Sequence, residues 1–266
     1  MPEPVMPSMP RRTLLLPALA AALLLPAVAA MAGDGGHGDA DWHYAGPHGP
    51  THWNELSSDF ATCARGHEQS PIAIMSRRSE ERDELGDLDF HYHPGPLRII
   101  NNGHTVQVPS PADDEELVVG EQRWKLAQFH FHTPSEEQVD GTAYAMEMHF
   151  VHRNAAGELA VVAVLIRRGH DNPALHTVLD NMPVAAGPEH QVATELDLPA
   201  LLPKARGYWF YEGSLTTPPC SEHVHWYVLK QPIEASPAQV AQFRKLYPRN
   251  VRPIQPLHER HVLEHR

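Results

Sequence analysis

Gln128-Phe129-His130-Phe131-His132 is the stretch that decides how this chain is read. Aromatic and imidazole side chains alternate along it, and successive side chains of an extended strand leave opposite faces. A strand here sends Phe129 and Phe131 into a core and turns His130 and His132 out together on the other side. A second run, Glu147-Met148-His149-Phe150-Val151, offers a third histidine with Glu147 on its own face. If the two strands pair, three imidazoles can converge. Three neutral nitrogens at about 2.0 to 2.1 Å, with one open position for water, are what a catalytic Zn²⁺ site needs, and neither cysteine has to be a ligand. Taken alone, the pattern also fits histidines of a core or a surface. His152 lies three residues past His149, on the opposite face by alternation, and reads as a hydrogen-bonded structural histidine.

Outward from these strands, short strand-like runs are split by Gly, Pro, Asn and Asp: Asp89 to His93, Leu97 to Asn101, His104 to Val108, Arg123 to His132, Tyr144 to His152, Leu159 to Arg168 and His223 to Lys230. Helices are few. Ser236-Pro237-Ala238-Gln239 is a capping box with Pro at the first helical position, followed by Val240, Phe243 and Leu246 on one face. A second short helix starts near Asn172-Pro173 and carries Leu175, Val178, Leu179 and Met182. No repeat and no internal linker divides the chain, so the body reads as one mainly β domain.

The 266 residues are 42% apolar and 20% charged, which excludes a disordered tail and a multi-span membrane protein. The net charge of −12 argues against a nucleic-acid backbone or an anionic lipid surface as the main partner. Twenty histidines are the unusual entry in the composition, since imidazole both ligates metals and titrates near neutral pH. Arg11 and Arg12 precede an uncharged run from Thr13 to Ala32 that ends in Ala30-Met31-Ala32, a small-residue cleavage pattern, so residues 1–32 read as a secretory signal peptide. Pro17 and Pro26 weigh against a permanent membrane helix, although the run is long enough for an uncleaved anchor. The paired arginines alone do not select a twin-arginine route. Residues 33–41, with His37, form a flexible lead-in. The chain is thus expected in the periplasm or secreted, with no stable membrane insertion after cleavage. In such an oxidising compartment the two cysteines, Cys63 and Cys220, suggest one disulfide, two separate buried thiols being the alternative.

The segments QFHFHTPSEE, EMHFVH, GSLTTPPCSE and NVRPIQPL, in that order, resemble the α-class carbonic anhydrases, here of the bacterial exported type. Further matches lie at Cys63-Ala64-Arg65-Gly66 with Gln69-Ser70-Pro71-Ile72, at Asn101-Asn102-Gly103-His104 and at Trp226-Tyr227-Val228-Leu229-Lys230. The resemblance spreads over roughly residues 42–260, leaving a C-terminal tail, 261–266, that the sequence does not explain.

The resemblance implies a single domain around a central, twisted, largely antiparallel sheet of about ten strands with a few short peripheral helices. It carries the zinc ligands to His130, His132 and His149, and their hydrogen-bond acceptors to Gln128, the backbone carbonyl of Asn250, and Glu147. Such acceptors fix each tautomer so that the free nitrogen faces the metal. Thr216 matches the threonine that accepts from the zinc-bound hydroxide and donates to a buried glutamate, here Glu136. Val151, Val161, Leu215, Thr217 and Trp226 match the pocket in which CO₂ rests, and His104 stands at the position of the proton shuttle. The implied reaction is the reversible hydration of CO₂ to bicarbonate and a proton, with inorganic anions and sulfonamides as inhibitors. Similar exported bacterial enzymes are often homodimers, and no patch in the sequence decides that here.

Two residues depart from the pattern. Glu137 stands where many bacterial relatives have histidine, and His43 stands between Trp42 and Tyr44 where glycine is usual. A non-catalytic zinc-binding or surface-binding module of the same fold, and a zinc-dependent esterase, are the competing functions.

Overall fold

A computed structural model describes Met1 and residues 41–266. The expected signal peptide beyond Met1, and the lead-in with His37 up to Ala40, lie outside the described residues. Among these residues twelve strands form one sheet, with a separate small sheet of Ala73–Ile74, Gln138–Val139 and Thr142–Ala143. The main path runs through strands His190–Leu196, Gly95–Asn101, Val106–Pro109, Gln122–His132, Met146–Arg153, Leu159–Arg168, Glu222–Ala235, Tyr208–Ser214, Leu263–His265 and Glu80–Glu81. Two strands, Leu88–His91 and Glu116–Val119, lie off this path. Within the main sheet pairing is antiparallel except between Leu159–Arg168 and Glu222–Ala235, and between Leu263–His265 and Glu80–Glu81. This is the mainly β, largely antiparallel architecture that the sequence implied.

The two histidine-bearing strands are neighbours, with His149 opposite His130, Glu147 opposite His132 and Val151 opposite Gln128. Beyond this the ladder skips Ala127, since His152 pairs with Leu126. That bulge puts Trp124 and Leu126 into the same core as Phe129 and Phe131, although simple alternation would place them on the histidine face. Leu159–Arg168 shows why the sheet is central. Ala160, Val162, Val164 and Ile166 enter the core that holds the phenylalanines, while Val161, Ala163 and Leu165 enter a second core with Trp226, Val224 and Val228. Buried on both faces, this strand reads as an unbroken apolar run.

The two longest helices form as their caps dictate. Ser236 accepts from the Gln239 N–H at 3.3 Å while Gln239 accepts from the Ser236 N–H at 3.0 Å, opening the helix Pro237–Leu246. Asn172 caps Pro173–Leu179 by accepting from the Ala174 N–H at 3.0 Å. Cys63 and Cys220 are bridged, with S–S 2.08 Å. Residues 261–266 are tied in, because Leu263–His265 pairs with Tyr208–Phe210 on one side and Glu80–Glu81 on the other. His104 does not begin a strand. The chain turns there, with Asn102 Oδ1 accepting from the N–H groups of His104 and Thr105, both at 2.9 Å, and the strand starts at Val106.

His152 is fully buried on the face opposite His149. Its Nδ1 donates to the Ala160 carbonyl at 3.3 Å and its Nε2 accepts from the Tyr92 hydroxyl at 2.5 Å. Burial pushes its pKa from 6.5 down to about 4, against the pull of the Ala160 and Phe150 carbonyls. A histidine depressed in the folded state gains its proton on unfolding between these values. Its contribution is therefore complete above pH 6.5 and is lost as pH falls toward 4, by up to about 3 kcal/mol. Urea denaturation at pH 7 and at pH 4.5 should show this loss, and His152→Gln should show a shallower one. An equally steep fall in the variant would contradict the assignment.

Candidate metal centre

Tautomers at the centre are set by acceptors that the strands supply. His130 Nδ1 donates to Gln128 Oε1 at 2.9 Å, and His132 Nδ1 donates to the Asn250 carbonyl at 2.7 Å. Both rings are thereby left with an unprotonated Nε2. Asn250 is itself fixed, since its side chain donates to the Phe131 carbonyl at 2.9 Å and accepts from the Thr133 N–H at 2.8 Å. His149 turns Nε2 toward Glu147, 3.7 Å away. Glu147 makes no ion pair with an arginine among the described residues, and its Oε2 accepts from the N–H groups of Glu136 and Glu137 at 2.7 and 3.2 Å. One oxygen of Glu136 lies 3.6 Å from His132 Nε2 and 4.0 Å from His149 Nδ1, so these two nitrogens face one space. One nitrogen from each of His130, His132 and His149 lies within 4.8 Å of the other two.

Electrostatically this space suits a cation. Burial lowers His130 and His132 well below the usual imidazole range, reinforced by His149, so both stay neutral as ligands must. For His149 burial acts in the same direction, but the Glu137 and Glu147 carboxylates outweigh it and raise the pKa to about 10. Burial pushes Glu136 up to about 7 against the pull of His149. Three carboxyl groups, Glu136, Glu137 and Glu147, are all at most 2% exposed. Each keeps one buried oxygen without a hydrogen-bond partner, as does His132 Nε2. Buried polar atoms seldom stay unpaired, and a divalent cation among three imidazoles would compensate this concentration of acceptors. The residues therefore fit Zn²⁺.

Around the centre, Thr216 is 5% exposed, and its hydroxyl hydrogen bond to the Glu136 carboxylate helps hold the carboxyl pKa down. Glu136 Oε1 accepts from the Arg252 N–H at 2.7 Å. Val151, Val161 and Trp226 line up across three adjacent strands, Val151 opposite Val161 and Val161 opposite Trp226. Leu215 packs against the same apolar cluster, and the Trp226 ring lies 4.9 Å from that of His149. Thr217 is half-buried, and its carbonyl accepts from the Cys220 N–H at 2.8 Å. His104 is half-buried and stacks on Trp42, with ring centroids 3.7 Å apart at 8°.

A family model described as eukaryotic-type carbonic anhydrase matches residues 48–266. The chain belongs to the carbonic anhydrase family. It is 44% identical over 227 residues to a carbonic anhydrase of Nostoc sp., covering 84% of this chain and 86% of that one. With a carbonic anhydrase of Klebsiella pneumoniae it shares 44% over 225 residues, covering 84% and 90%. Among solved structures, the α-carbonic anhydrase of Thermovibrio ammonificans in complex with the inhibitor sulfanilamide is similar, with TM-score 0.82 and 41% identity over 85% of this chain and 100% of that one. The chain is thus a carbonic anhydrase by family and fold.

Three residues carry more of the carbonic anhydrase site than the sequence disclosed. Glu137 is completely buried, accepts from the Tyr211 hydroxyl at 2.8 Å and lies 3.7 Å from His149 Nε2, as close as Glu147 does. Glu137 therefore reaches a ring of the centre. Tyr211 lies in Tyr208–Ser214, on the face it shares with the buried Trp209 and Gly213. Arg252 donates to the carbonyls of Ser70 and Cys63, both at 2.8 Å, joining the disulfide segment to the backbone that holds Glu136. Arg252 belongs to the motif NVRPIQPL, two residues after Asn250.

Proposed function

We propose that this carbonic anhydrase hydrates CO₂ reversibly to bicarbonate and a proton, with Zn²⁺ held by His130, His132 and His149. The convergence of three imidazole nitrogens, two with tautomers fixed by carbonyl oxygens, is the observation that carries this reading. Zinc, when bound, supplies the acidity that makes hydroxide available near neutral pH, a chemistry for which carbonic anhydrases are themselves the reference case. Thr216 donates a hydrogen bond to Glu136 and so keeps its oxygen free to accept from the nucleophile, which a hydroxyl can do because it has one donor and two acceptor sites. Val151, Val161, Leu215 and Trp226 hold CO₂ by apolar contact, and Thr217 lines the same pocket. The disulfide supports placement of the protein in the periplasm or outside the cell, with residues 1–32 as the leader. No helix among the described residues is long and apolar enough to cross a membrane. Inorganic anions and sulfonamides are the proposed inhibitors, the sulfonamides supported by the sulfanilamide complex of the Thermovibrio relative.

His104 takes the proton released in each cycle onto its imidazole and passes it to buffer. An acid titrating near 7, a value that belongs to carbonic anhydrases as a class, loses its proton to water at only about 10³ s⁻¹ if recombination runs at about 10¹⁰ M⁻¹ s⁻¹. Faster turnover needs a relay. His104→Ala should lower kcat for CO₂ hydration in dilute buffer toward that ceiling while leaving kcat/KM largely intact, because attack on CO₂ precedes the proton transfer. Added imidazole should restore much of the loss. Stopped-flow assays with no change in kcat would reject the relay, and a matching fall in kcat/KM would point to damage at the metal centre.

A further inference from the structure

His43 is left unused by the reaction, and its surroundings show a second set of ligands. Its Nε2 lies 3.4 Å from Asp41 Oδ1, and the other oxygen of Asp41 lies 3.7 Å from His48 Nδ1. One donor atom from each of the three residues lies within 4.8 Å of the other two. The two imidazoles are nearly parallel, at 9° with centroids 5.9 Å apart. This arrangement is held by backbone and by neighbours. The His43 N–H donates to the His48 carbonyl at 2.8 Å, closing the turn, and the His43 carbonyl accepts from Trp53 Nε1 at 2.9 Å. On either side of His43, Trp42 and Tyr44 pack edge-on against the buried Trp53, at 5.4 and 6.1 Å. Pinned at these points, the backbone that carries His43 and His48 loses little freedom when their side chains close on an ion, which favours binding.

The geometry points to a second transition-metal site at Asp41, His43 and His48, distinct from the buried centre. Two imidazoles and one carboxylate, without a thiolate, suit a divalent ion of the zinc, nickel and copper group. Side-chain exposures of 71% for Asp41, 56% for His43 and 42% for His48 make it an open site completed by water, one that exchanges its ion more readily than the buried centre. The site adjoins His104, whose ring centroid is 6.4 Å from that of His43. Glycine, usual at position 43, could not supply the ligand.

Copper(II) is the probe that tests the site, because it binds such donors most tightly of the series and is paramagnetic. Zinc-loaded full-length protein, given copper and desalted, should retain its zinc and carry about one copper besides. Nitrogen hyperfine structure should appear in the electron spin resonance spectrum, and the His104 ring signals should broaden in the proton NMR spectrum. His43→Ala and His48→Ala, each of which preserves the backbone hydrogen bonds of the turn, should abolish the bound copper with zinc content unchanged. Three results would overturn the site: copper that enters only by displacing zinc, copper bound equally by both variants, or bound copper that leaves the His104 signals sharp.

Discussion

His149→Ala is expected to reduce the zinc content of the purified protein from about one per chain to a small fraction of that, and to lower CO₂ hydration at least about a thousandfold, some 4 kcal/mol of barrier. Two imidazoles cannot close a three-ligand site, and the loss is compounded by what remains. Glu137 and Glu147 both approach His149 Nε2 at 3.7 Å, so removing the ring leaves two buried carboxyl groups facing a cavity. Metal analysis by mass spectrometry and stopped-flow hydration assays check the two losses separately. A circular dichroism spectrum matching the unaltered protein would show that the fold survives. Full hydration activity in this variant would sink the ligand assignment, whatever its zinc content.

Loss of the Cys63–Cys220 bridge is expected to have the largest effect on stability of any change away from the metal. The bridge closes a loop of 157 residues. Loop entropy assigns such a cross-link about 5 kcal/mol, an upper figure because native bridges often deliver less. For a domain of this size that corresponds to a fall in Tm of up to about 10 to 20 °C. The double variant Cys63→Ser, Cys220→Ser should show it by calorimetry, measured against the oxidised protein. Two free thiols found by mass spectrometry in exported protein, or an unchanged Tm in the variant, would remove the bridge from the account.

The parts of this structure legible in the sequence are those in which one physical rule acts alone. Strand alternation put His130 and His132 on one face and Phe129 and Phe131 on the other, and side-chain caps announced both helices at Asn172 and Ser236. Where two rules compete, the sequence was silent or misleading. Tyr208–Ser214 buries one face fully and the other only in part, Phe210 and Glu212 being half-buried, while His190–Leu196 is largely exposed and turns only Val192 and Leu196 to the core. Leu263–His265 is too short to be recognised and exists because strands on both sides accept it. His104 was read into a strand because Thr105, Val106 and Val108 suit one, but the Asn102 side chain competes for the backbone N–H groups and makes a turn. Of the centre, the three clustered histidines and the acceptors of His130 and His132 were visible through family motifs. The burial of Glu137 and the bridging role of Arg252 were not, because both depend on contacts with segments far away in the chain.

The pairing of Gln122–His132 with Met146–Arg153 has a further consequence for the order of events during synthesis. Residues that close together in sequence can meet early, whereas contacts between distant segments wait for the chain between them. The three imidazoles can be assembled by one local antiparallel pair before the later strands leave the ribosome. The Asn250 carbonyl that fixes His132 lies 118 residues downstream. A nascent chain therefore holds the donors long before it holds the group that orients them, and a firm grip on an ion awaits nearly the last segment to arrive.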